Sequence, residues 1–191
     1  MTETSQKLIE RACEVTNDVR EAFGHLSGEQ LNWKPDPDSW SIAQCIDHLV
    51  TTNGEYFTKI EEAVGDDLRP NLWSRIPFWS GLVGYMIKRA VNPESTRKVK
   101  TFGVFQPAKS DVPDTIVEDF AESQEKLLSL IRQTDHLNRK KITLFSPVSD
   151  KAPLKLSTAF EVLVIHERRH FNQAVRVAEA PKFPGSTDFQ I

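Results

Sequence analysis

The sequence predicts an all-α chain: an antiparallel four-helix bundle in which a long connection of irregular chain and short helices joins helices two and three. Three observations carry this expectation. Four stretches place apolar residues at alternating spacings of three and four, the signature of one buried helix face. Ser or Thr followed three residues later by Gln or Glu stands ahead of two of them. Strand signals are weak, "KKITLF" and "RKVKTFGVF" being the only β-like runs, each in a connection containing Gly or Pro.

The first helix is read from Leu8, Ala12, Val15, Val19, Ala22, Phe23 and Leu26. The second follows from Ile42, Cys45, Ile46, Leu49, Tyr56, Phe57, Ile60 and Val64, and its start is marked by Ser41 with Gln44 after a segment that Pro35 and Pro37 keep out of a helix. The third spans about Thr115 to Gln133, with Thr115 and Glu118 as a second candidate capping box. The fourth starts near Ser157 or Thr158 and ends before Pro181; its early part, "AFEVLVI", is apolar nearly all round and predicts the most buried helix. Residues 66–113 are too long for a simple up-and-down connection and carry Trp73, Phe78, Trp79, Tyr85, Phe102 and Phe105. They are expected to pack as short helices and a loop across one end of the bundle, as a lid or substrate wall.

At 191 residues and 39% hydrophobic content, the chain is long enough for one substantial core and short for two, so 1–191 reads as a single domain. The net charge of −3 and a pI near 6.0 give no general attraction to nucleic acid. The runs Arg97-Lys98-Val99-Lys100 and Arg139-Lys140-Lys141 are short enough to be solvated loops. The start, "MTETSQKLIERAC", is charged throughout and unlike a signal peptide, and "LWSRIPFWSGLVGYMI" is interrupted by Arg75 and Pro77, so it is too short to span a bilayer. No membrane partner and a cytoplasmic location are therefore expected, with Cys13 and Cys45 as reduced, mostly buried thiols.

The five histidines divide. His25 and His136 fall near helix C-termini, where the helix dipole favours a cation and no further role is needed. His166 and His170 stand at i and i+4 and share a face, to one side of the apolar stripe; His48 is offset to the same side of its own stripe. All three suit the wall of a cavity.

The stretch "HERRH", His166–His170, also fits HExxH, in which two histidines bind zinc and the glutamate is general base of a peptidase. The extended motif needs Gly and His where this chain has Gln173 and Arg176, and only Glu179 and the tail residue Asp188 follow as carboxylates. A zinc peptidase is thus a remote alternative.

"LSGEQLNWKPDPDSWSIAQCIDHLV" together with the late "HERRHFNQAVRV" resembles the DinB-like superfamily of four-helix metal proteins, including its YfiT-like branch, over nearly the whole chain. The resemblance implies a metal triad of one histidine from helix two and both of HxxxH, here His48, His166 and His170. It also implies a link to low-molecular-weight thiols, since characterised members include thiol-dependent transferases and isomerases. Three neutral imidazoles keep the full charge of a divalent Zn, Ni or Fe ion and an open coordination position, which suits activation of a thiol or water and a small-molecule substrate. A non-catalytic metal-binding or structural bundle, as a possible homodimer, is the alternative. Glu167 falls near the middle of its helix's stripe and is expected to be buried: a catalytic base, or a partner of a neighbouring Arg or Lys. Arg168 and Arg169 read as solvent or interface residues. Cys45, one turn before His48, reads as a small hydrophobe. Asn53, Tyr56, Trp73 and Phe102 are candidates for a pocket wall.

Overall fold

A computed structural model describes residues 1–65, 72–95, 101–108 and 111–185. The run 97–100, with the first part of "RKVKTFGVF", and Asp188 lie outside the described residues. The chain is mostly helical with one small sheet: α1 (Glu3–Phe23), α2 (Gly28–Asn32), α3 (Ile42–Val64), α4 (Leu72–Arg75), α5 (Trp79–Ala90), a 3-10 turn (Gly103–Phe105), α6 (Ile116–Gln133), β1 (Thr143–Ser146), β2 (Ser149–Lys155) and α7 (Leu156–Ala178).

The four long helices arise where the periodicity puts them. α3 is started by a complete capping box: the Gln44 backbone N–H donates to Ser41 Oγ (3.1 Å), and the Ser41 N–H donates back to Gln44 Oε1 (3.3 Å). At α6 the expected box does not form. Thr115 makes no capping bond and turns its hydroxyl to Asp119. A capping box that the sequence reading passed over, Ser27 with Gln30, starts the short α2.

Each long helix packs chiefly on two others, α1 on α6 and α7, and α3 on α6 and α7. Side-chain pairs fix the directions. Arg168 bonds Asp18 while Phe171 meets Phe23, so α1 and α7 run the same way. Asn53 lies at Ser123 and Glu61 at Lys126, so α3 and α6 are also parallel. Ser5 at the start of α1 reaches Asp135 just past α6, and Trp40 meets His170 while His48 meets His166, so α1/α6 and α3/α7 are antiparallel. This corrects the expectation of an antiparallel arrangement throughout. The long excursion after α3 has a topological reason: parallel neighbours need the chain carried back to its starting end.

The second correction concerns 143–155, which form a hairpin directly ahead of α7 in a region where no sheet was expected. Its strands pair antiparallel with Leu144 opposite Leu154, and both leucines are fully buried. β2, "SDKAPLK", shows almost no alternation and contains Pro153, so burial of this leucine pair holds it rather than strand propensity. α4 and α5 pack on β2, and α5 also on α7, so the excursion does fold as short helices.

Asp135 closes one end of the fold. Its carboxylate accepts from Ser5 Oγ (2.5 Å), Thr2 Oγ1 (2.7 Å) and the Thr2 N–H (2.9 Å). These bonds, Ser5 foremost, hold its carboxyl well below the ordinary value of 3.8. A depressed value in the folded state means that the stabilisation is complete above about pH 4 and is lost as the pH falls further. Asp135→Asn should lower Tm at neutral pH and flatten its decline between about pH 4 and pH 2. Melts across an acid series check this; an unchanged acid slope contradicts it.

Candidate metal centre

His48 lies in the second turn of α3, and Thr52 and Tyr56 follow it at steps of four on the same face. Opposite, α7 presents Val162, Leu163, His166, Arg169 and His170. With Ile87, Ala90 and Val91 of α5, Ser146 and Val148 of the hairpin, and Thr101, Phe102 and Phe105, these residues line a cavity of about 180 Å³. The excursion therefore supplies a wall of the cavity.

The three histidines converge at its base. All are buried, and each has a ring nitrogen within 4.8 Å of those of the other two. The Nε2 atoms of His48 and His166 are 3.1 Å apart, and the His170 ring centroid lies 4.5 Å from each of the others. An ion about 2.0–2.1 Å from each imidazole nitrogen spaces two of its ligands about 2.9–3.4 Å apart, so the separation fits. The same distance suits an N–H···N bond between the rings. Coordination of an ion requires all three imidazoles to be neutral.

The surroundings enforce neutrality. Burial pushes the His48 imidazole below its ordinary 6.5, against the opposing pull of the Phe105 carbonyl and Asp47. His166 and His170 are pushed well below, by burial first and then by the neighbouring imidazoles and Arg169. All three shifts favour the neutral form that a cation needs.

Ring orientation is set at His48. Its Nδ1–H donates to the Phe105 carbonyl (2.5 Å), which leaves the Nε2 lone pair facing His166. That carbonyl is itself fixed to α3, since Gln44 Nε2 donates to the Ala108 carbonyl (2.8 Å) and the Ala108 N–H donates to Asp47 Oδ2 (2.7 Å). Trp40 covers the other side, its ring 5.0 Å from His48 and stacked at 5.8 Å on His170. Trp40→Ala should therefore weaken metal affinity about 10–100-fold with all three histidines intact. Titration with Zn and Ni checks this; unchanged affinity would remove Trp40 from the site.

Glu167 is fully buried as expected, but its partners are amides rather than a cation. Oε1 accepts from Gln124 Nε2 (2.8 Å) and Asn53 Nδ2 (3.0 Å). Burial pushes its carboxyl up to about 7, which the two amides offset only in part. It does not line the cavity, so it is not placed as the base of an HExxH peptidase would be. Its contacts lock α7 to α3 and α6 beside His166.

Arg168 and Arg169, expected at solvent or at an interface, are half-buried and hold partners within the chain. Arg168 binds Asp18 on α1 (2.6 Å). Arg169 donates to the Asn92 and Ser95 carbonyls (2.7 and 2.6 Å) and lines the cavity. Burial pushes the Cys45 thiol up to about 12, so it stays a neutral core group. His25 and His136 are exposed, away from the triad.

Of the pocket-wall candidates, Tyr56 and Phe102 line the cavity, whereas Asn53 holds Glu167 and Trp73 packs against Trp79. Thr52, Ser146, Val148 and Arg169 were missed as wall residues. Thr52 and Arg169 had a readable signal, their places four residues after His48 and three after His166.

No curated protein and no solved structure matches the chain. The family model of the DinB superfamily matches residues 13–174, a span that contains all three histidines, Trp40 and the whole cavity wall. With well over half of its length matched, the chain belongs to the DinB superfamily.

Proposed function

We propose that the chain is a metal-dependent enzyme of the DinB-like type, in which His48, His166 and His170 hold a divalent ion, Zn, Ni or Fe, and a small-molecule substrate enters through the cavity. The observation that carries this is the convergence of three buried, neutral imidazoles at the base of an otherwise mostly apolar cavity. A divalent ion held there would supply Lewis-acid activation of a thiol or water.

The chain's own residues do the rest. The Phe105 carbonyl and Trp40 keep the imidazoles aimed at one point. Apolar side chains, among them Val162, Leu163 and Phe105, limit water around the reacting group and strengthen electrostatic interactions there. The Arg169 guanidinium adds positive charge that favours an anionic thiolate over a thiol. Tyr56, whose hydroxyl bonds Ser146, and Thr52 offer hydrogen-bonding groups to a substrate beside the triad. Glu167 acts by fixing the α7 turn rather than by touching substrate.

The test is a panel of low-molecular-weight thiols with electrophilic substrates, following loss of free thiol, and a parallel panel of hydrolysable esters and amides. Turnover that chelator abolishes and added ion restores supports the proposal. Stoichiometric metal without turnover in either panel moves the chain to the reading of a non-catalytic metal-binding protein.

A further inference from the structure

The outer face of the excursion is apolar and solvent-facing. Leu72, Ile76, Phe78, Leu82, Tyr85 and Met86 on and beside α4 and α5 are all 40% or more exposed, and Phe78 is 91% exposed. Phe78 also has a left-handed backbone (φ 61°), a conformation that costs a bulky residue energy and that no burial of its ring offsets. Residues 72–93 contain Arg75, Lys88 and Arg89 and no Asp or Glu, in a chain whose net charge is −3. Lys88 is paired with Glu161 at 3.1 Å, while Arg75 and Arg89 are exposed beside the apolar face.

We propose that this face seats the protein on an anionic lipid surface, with Phe78, Leu82 and Met86 entering the acyl boundary and Arg75 and Arg89 meeting the headgroups. The pattern of aromatic and aliphatic residues beside cations, with no carboxylate among them, is that of an element lying in a membrane interface. It revises the expectation of no membrane partner, which rested on the charged start and the interrupted apolar run; among the described residues no helix is long and apolar enough to cross a membrane, and an interfacial contact needs none. The inner face of α5, with Ile87 and Val91, is a wall of the cavity. Docking would therefore hold the cavity about 10 Å, one helix diameter, from the lipid.

Flotation of the full chain with vesicles of equal parts phosphatidylglycerol and phosphatidylcholine, against phosphatidylcholine alone, tests this. Expected are binding to the anionic vesicles that high salt weakens, at least about a tenfold loss in Phe78→Ser/Leu82→Ser, and loss of the preference for anionic lipid in Arg75→Gln/Arg89→Gln. The substituted side chains are exposed, so unchanged thermal melts certify the fold of each variant. No binding of the wild type to anionic vesicles, or undiminished binding of the serine variant, overturns the proposal. So does a wild-type dimer in sedimentation equilibrium that becomes monomeric in the serine variant, which would make the face a self-contact.

Discussion

His170→Ala is expected to lower metal affinity by more than the roughly 100-fold that loss of an outer partner costs, because it removes one of three donors and leaves an incomplete coordination set. The ring lies 4.5 Å from those of both His48 and His166, with Trp40 stacked on it. In the proposed coordination the three imidazoles act as one unit. The double variant His166→Ala/His170→Ala should therefore bind little worse than either single variant. Additive losses in a titration with Zn would mean that the histidines bind independently. Circular dichroism of each variant should show the helical content of the parent, which separates loss of metal from loss of fold.

The largest effect on stability is expected at Arg139, far from the histidines in the fold. The side chain is 8% exposed and holds the end of α6 to the start of α1. Its Nε donates to the Thr134 carbonyl (3.2 Å) and hydroxyl (3.1 Å), one terminal nitrogen donates to Ser5 Oγ (2.8 Å) and the other to the Ile131 carbonyl. The guanidinium also lies over the Phe160 ring at 5.1 Å. Arg139→Met fills similar space yet removes the bonds donated to Thr134, Ser5 and Ile131, and a hydrogen bond from a charged group is worth about 1.5–3 kcal/mol. The sum should be on the order of 3 kcal/mol, or a fall in Tm of roughly 6–12 °C for a chain of this size. Arg139→Lys keeps the charge but not the fork of donors and should recover less than half. Urea unfolding measures both; a loss under about 1 kcal/mol for Arg139→Met would show that the network is incidental.

Arg139 also shows where the sequence was readable and where it was not. It stands in a run of three cations, and composition alone made that run a solvated loop; what buries it is the meeting of two helix ends more than 100 residues apart in sequence. Periodicity placed α3 and α7 within a residue or two, because each has one apolar stripe and α3 has a capping box. The same wheels set His48, His166 and His170 off those stripes, on the side where the cavity lies. Helix direction was not encoded in this way: a stripe looks the same in a parallel or an antiparallel neighbour, and α3 and α6 turned out parallel. The hairpin was missed because "SDKAPLK" is held by Leu154 against Leu144 rather than by propensity. The orienting partner of His48 is a backbone carbonyl, which residue type cannot announce. Glu167 was correctly expected to be buried, but its amide partners, Asn53 and Gln124, come from two other helices.

The central claim, that His48, His166 and His170 form one metal site, is tested most directly by elemental analysis of the full chain purified without a metal-affinity step, alongside His48→Ala. Expected are close to one divalent transition-metal ion per chain, loss of it in the variant, and a thermal melt that chelator lowers only in the wild type. A wild type with no stoichiometric metal and a melt indifferent to chelator would contradict it.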